Sequence, residues 1–227
     1  TYEGKPLRFL AQLNFGALPH IPVFPEQGIL QFYCSCDDDE AVYGMNFTDG
    51  CDQDGFRVIY HENVITDTTK LMTAEDIPQI PSGDFPFEGE YRLCPHAPEE
   101  CPPTAVDFRF NAAFSRAYSR LTNQKITSVY DAYEGTYADG KTLEDVFDFM
   151  STNLSCIGGY PDFTQSDPRC SEKGTSGHKI LLFQLQSDPS DDVNIMWGDM
   201  GVGNFFITPE ALKNKDFSNV LYNYDCC

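Results

Sequence analysis

A glutamine set inside an apolar strand-length run is costly unless its amide finds partners, and this chain contains the arrangement twice. Phe9-Leu10-Ala11-Gln12-Leu13 matches Leu181-Leu182-Phe183-Gln184-Leu185. Sixteen residues beyond Gln12 stands Gly28, followed by Phe32-Tyr33; seventeen beyond Gln184 stands Gly201, followed by Phe205-Phe206. Two blocks thus recur at nearly one offset, and the pattern predicts a duplicated sheet unit. The expectation is an α+β fold of two related, mainly antiparallel half-units around a pseudo-twofold axis. A single domain spans 1–227, with a first half of about 1–110 and a second of about 111–227.

The remaining elements fill in around that repeat. Leu7–Leu13, Gly28–Tyr33, Val42–Phe47 and Phe56–Tyr60 read as strands with Gly and Asp punctuation. Between Thr73 and Pro103 seven prolines remove amide donors, so this stretch is an ordered connector carrying Phe85, Phe87 and Tyr91. Asn111–Leu121 reads as a helix with Phe114, Tyr118 and Leu121 on one face. Thr142 caps a second helix with Asp145 three residues on, its stripe being Leu143, Val146, Phe147 and Met150. Strands resume at Ile180–Leu185, Asn194–Trp197 and Phe205–Thr208, and Thr208-Pro209-Glu210 opens a short helix.

Composition excludes several functions. The 35 acids against 15 bases give a net charge of −20, which opposes nonspecific binding to nucleic-acid phosphates and anionic lipid. No apolar run approaches the roughly 20 residues of a bilayer span. Nine cysteines are too few for a disulfide scaffold and read as reduced thiols of a cytoplasmic protein, with a Cys94–Cys101 bridge as the alternative. Cys34-x-Cys36 and Cys94-x-His96 are too closely spaced for zinc pairs, so no metal is expected. In Asp49–Gly55 the calcium-loop register puts Gly50 and His61 where ligands belong, so a hairpin turn is the reading. Asp37-Asp38-Asp39-Glu40 reads as a solvated loop.

The chain resembles the YwqG-like family of uncharacterised bacterial proteins. The likeness rests on CIGGYPDFTQSDPR (Cys156–Arg169), KILLFQLQSD (Lys179–Asp188) and Asn194–Cys226. GKPLRFLAQLNF and GILQFY match the family's earlier half. Over about the last 75 residues it is tight, and between about 60 and 110 it is looser. It implies an α+β structure of two related halves. It also implies a glycine–proline segment upstream of GKPL, so Thr1 is expected to be interior to a longer, N-terminally incomplete unit. It supplies no reaction, cofactor or catalytic residue.

Candidate site residues are therefore drawn from the residues themselves. Trp197 and Asp199, in a turn with Gly201 and Gly203, form one wall of a pocket or else a structural turn. Gln12 and Gln184 line an inter-half groove or satisfy backbone groups where a strand bends. Gln165 and Arg169, with Asp167, hold an anion or lock a loop. The histidines His20, His61, His96 and His178 lie in no nucleophile-elbow context, and Cys156 with His178 is the pairing left for three dimensions. No phosphate loop precedes a helix. The preferred function is non-catalytic binding of a protein or peptide, a basic one by charge complementarity. The alternative is a hydrolase or small-molecule-binding protein with its site between the halves near Trp197, Asp199, Gln184 and His178. No cofactor is expected, and oligomeric state is left open.

Overall fold

The computed structural model describes residues 4–36, 42–73, 75–77, 83–96, 103–132, 142–151, 154–170, 174–190 and 192–227. Asp37–Glu40 and Cys101 lie outside them, so neither the acidic run nor a Cys94–Cys101 bridge is described.

Two three-stranded antiparallel sheets carry the fold. The first pairs β1 (Arg8–Asn14), β2 (Ile29–Cys34) and β3 (Phe56–His61) in the order β1-β2-β3. The second pairs β4 (Ile180–Gln186), β5 (Val202–Ile207) and β6 (Leu221–Asp225) in the order β4-β5-β6. The two registers correspond position by position. Gln12 faces Gln31 as Gln184 faces Asn204, and Phe32 faces Ala11 as Phe205 faces Phe183. A bulge interrupts β1 between Phe9 and Ala11 and β4 between Leu181 and Phe183, again at matched places. A bulge consumes one extra residue on one strand and re-aims the side chains beyond it. In both sheets it turns the next glutamine onto the face away from the core.

The inner faces of the sheets pack together. Alternation buries Leu30, Phe32 and Cys34 on β2 and Phe56 and Val58 on β3. The Phe32 ring lies 5.1 Å from Phe183 and 4.9 Å from Phe205, while Phe56 meets Tyr222 at 5.0 Å. These rings remove large apolar areas from water and knit both halves into one core.

Several sequence expectations change here. Val42–Phe47 is not a strand. Val42–Gly44 forms a 3-10 turn in which Tyr43 takes φ 55° and Gly44 φ 76°. A Cβ on Gly44 would fall 1.8 Å from the Gly55 carbonyl oxygen, so backbone crowding dictates the turn. The turn sends the Tyr43 ring edge-on against Trp197 (5.2 Å) and Tyr224 (4.8 Å). Asn194–Trp197 contributes only isolated bridges, from Ile195 to Asp188 and Phe87. A strand at 221–225, not expected from the sequence, completes the second sheet.

The first helix is α1 (Phe110–Thr122), anchored by Phe110 and Phe114, whereas Leu121 is 86% exposed. The second, α2 (Leu143–Phe149), has the expected box: Asp145 N–H donates to Thr142 Oγ1, and Thr142 N–H donates to the Asp145 carboxylate. Phe147 and Met150 pack against the Phe110 cluster. The third, α3 (Pro209–Lys213), is capped by Thr208 Oγ1, which accepts from Ala211 N–H at 3.2 Å. Among the described residues no helix is long and apolar enough to cross a membrane.

Candidate functional site

The outer faces of the two sheets differ, and the difference begins with residues 154–167. This segment runs as a strap across the second sheet. It first pairs with the edge of β4: Cys156 and Gln184 exchange two main-chain bonds of 3.0 and 2.8 Å, and Gly158 N–H donates to Leu181 O at 2.8 Å. Gln184 then grips it by its side chain. Its Oε1 accepts from Asp162 N–H at 2.7 Å, and its Nε2 donates to Leu154 O at 2.7 Å. Asn204 Nδ2 donates to Asp162 O at 2.9 Å. Beyond this grip the Phe163 ring stacks on Phe206, 6.0 Å away. Gln165 closes the crossing, its N–H donating to Asp225 Oδ2 (2.8 Å) and its Nε2 to Cys226 O (2.7 Å). Burial and the nearby Asp162 charge push the Asp225 carboxyl above its ordinary value, against the lowering effect of the Gln165 N–H and of Thr164.

The same face of the first sheet is open. Phe9 is 45% exposed and Ile59 37%, although Leu181 at the position matching Phe9 is 1% exposed. Phe9 packs edge-on against Tyr33 at 5.6 Å. Gln12, exposed, accepts from Gln31 Nε2 at 3.0 Å; Gln31 Oε1 in turn accepts from Tyr33 O–H and lies 2.9 Å from His61 Nε2. A polar relay thus stands between exposed apolar groups on a flat sheet. Gln31 and the strap contact at Asp162 were missed in the sequence, although Gln31 repeats the Gln12 signal of an amide between apolar neighbours.

Gln12 and Gln184 therefore do not face each other across a groove. They lie on the outer faces of different sheets, each serving its own half. Trp197 is fully buried on the opposite, inner side of the second sheet, stacked on Tyr224, with Gly203 leaving room for its ring. Asp199 is exposed in the adjoining turn, where its backbone carbonyl accepts from Cys227 N–H. The four residues expected around an inter-half site are not gathered: Gln184 and Trp197 occupy opposite sheet faces, and His178 lies beside Cys51. A cavity of about 330 Å³ lies elsewhere, beside the loop after β1, between Phe15, His20, Phe24 and Glu26.

Arg169 is locked internally. Fully buried, it donates Nε to Asp167 Oδ1 (2.8 Å) and Nη2 to Asp167 Oδ2 (2.6 Å) and Asp107 Oδ2 (2.9 Å), with its guanidinium over Phe206. The remaining Nη1 points at the His178 carbonyl at 3.5 Å, so the fork is taken up inside the protein and does not face an outside anion. Arg109 adds a second fork to Asp107. Burial alone would push the Asp107 carboxyl up, but the Arg109 bonds and the Arg169 charge hold it below its ordinary value.

His178 pairs with Cys51 rather than Cys156: the Cys51 thiol lies 3.7 Å from His178 Nε2. Burial and the Asp49 charge push that thiol up to about 11, so at neutral pH it is a thiol, not the thiolate nucleophile. Among the described residues no group of three or more metal-ligating side chains occurs.

The sequence model of the family described as a domain of unknown function (DUF1963) matches residues 1–226. With the match covering nearly the whole chain, the protein belongs to that family. No curated protein matches the chain.

Proposed function

We infer that this chain is a non-catalytic binding protein whose ligand is a polypeptide, engaged on the outer face of the first sheet. One observation carries the reading: the matching face of the second sheet is covered by a strap of the chain itself, while Phe9, Gln12 and Ile59 face water beside a half-buried Tyr33. Exposed aromatic and aliphatic groups around satisfied amides suit a contact surface better than a reaction centre. The net charge of −20 steers a basic partner toward the molecule at long range, and the face decides the contact. The resemblance of Cys156–Arg169 to YwqG-like proteins and the cysteine usage support a bacterial, cytoplasmic setting.

Affinity capture with wild type and a Phe9→Ser/Tyr33→Ser double variant, at low and moderate salt, tests the reading. A partner retained by wild type and lost from the folded double variant is the expected result. Equal capture by both proteins, or no partner in either salt, overturns it.

A further inference from the structure

Positive charge is scarce in this chain, with 15 bases against 35 acids, yet three bases line one cleft at the first helix. Asn123 caps α1 in the left-handed conformation, φ 58°, its N–H donating to Ser119 O at 3.1 Å, and the chain turns back along the helix. Two bonds hold the returning segment in place. Tyr118 O–H donates to Gln124 Oε1 at 3.2 Å, and Val129 N–H donates to Asn111 Oδ1 at 3.1 Å. Between helix and returning segment lies an open cleft of about 460 Å³, lined by Ser115, Arg116, Ser119, Arg120, Lys125 and Ile126.

Helical spacing explains the grouping. Ser115 and Ser119 are one turn apart, as are Arg116 and Arg120, so each pair shares a side of α1. Two guanidiniums at that spacing repel each other unless an anion lies between them. Among the described residues no carboxylate forms an ion pair with Arg116, Arg120 or Lys125, and none lines the cleft. Arg109 and Arg169, by contrast, are both held by carboxylates. Arg120 in the last turn suits the helix dipole, but Arg116 stands too far from the helix end for that duty. Ser115 Oγ is buried with no hydrogen-bond partner among the described residues, a costly state for a hydroxyl. The net charge of −20 opposes an anion at long range. At physiological ionic strength, however, the screening length is about 8 Å, so the three cations lining the cleft decide the local field. We propose that this cleft binds the phosphoryl group of a small phosphate monoester. The Arg116 and Arg120 forks and the Lys125 ammonium balance its charge, the Ser115 and Ser119 hydroxyls donate to its terminal oxygens, and Ile126 takes the apolar part of the ester. A single carboxylate carries too little charge and too few oxygens for three cations and two hydroxyls. The site does not rest on the polypeptide binding inferred above for the first sheet.

The probes are phenyl phosphate, inorganic phosphate and succinate, each titrated into the whole chain by calorimetry at physiological ionic strength. Phenyl phosphate should bind with a Kd below about 1 mM, inorganic phosphate severalfold more weakly, and succinate more weakly by about tenfold or more. An Arg116→Gln/Arg120→Gln variant, altered only at exposed positions, should lose about tenfold or more in affinity for phenyl phosphate. Lys125→Gln, also exposed, should lose about threefold. Ser115→Ala separates a ligand contact from a packing role. It should weaken phenyl phosphate binding about fivefold while raising the Tm of the free protein, because a buried hydroxyl without a partner has been removed. If the double variant does not fold, Lys125→Gln and Ser115→Ala carry the test. Absence of binding by phenyl phosphate overturns the proposal. So does an affinity unmoved by the cation variants or by Ser115→Ala, or an inorganic phosphate or succinate that binds as tightly as the ester.

Discussion

Two buried acids show how one residue type is pushed in opposite directions by its surroundings. Asp225 keeps its proton to higher pH in the folded chain than in the unfolded one, because burial and Asp162 disfavour its charge. Above the ordinary value of 3.8 the fold then binds more protons than the unfolded state, so stability falls as pH rises through the raised value. Asp225→Asn keeps an oxygen for the Gln165 amide and discards the charge. It should raise Tm at pH 7 by a few degrees and have a smaller effect at pH 4, as read in paired thermal melts. Asp107 is the converse: its lowered value stabilises the fold above 3.8, and that contribution is lost as pH falls toward the lowered value. Its partner Arg169 is fully buried between Asp107 and Asp167. Replacing it by Met strands two carboxylates without their shared cation. A loss of about 3–5 kcal/mol at pH 7 is expected in chemical denaturation, shrinking in acid as the carboxylates protonate.

Among the elements, those resting on local chemistry were legible and those resting on long-range contact were not. Thr142 with Asp145, and Thr208 with Pro209, announce helix starts because a cap needs only three or four consecutive residues. Thr208→Ala should cost about 1 kcal/mol, measurable in urea, by freeing the Ala211 N–H. The segment Val42–Phe47 misleads because its apolar residues serve a turn imposed by Gly55, outside the segment itself. Gly44→Ala tests that account. With φ 76° and a carbonyl 1.8 Å from the new methyl, it should destabilise by more than the roughly 1 kcal/mol of an ordinary backbone penalty. The strand at 221–225 is hidden in the sequence because it is five residues long and Asp225 is held by the Gln165 N–H, sixty residues away.

For the molecule as a whole, the recurring glutamine foretold two sheets but not that their outer faces would be treated differently. The same residue type at the same register position ends buried in one half and exposed in the other, since what covers it comes from outside the repeated block. That asymmetry is measurable without any ligand. Gln184 N–H is bonded to Cys156 and lies beneath the strap, so its exchange requires the strap to lift or the sheet to open. Gln12 N–H faces an open edge, where exchange requires almost no opening free energy. Native-state hydrogen exchange should therefore show Gln184 among the slow amides and Gln12 slower than an unfolded peptide by less than about tenfold. Equal protection at the two positions would mean that the first edge is already covered in the isolated chain, and the asymmetry between the halves would go with it.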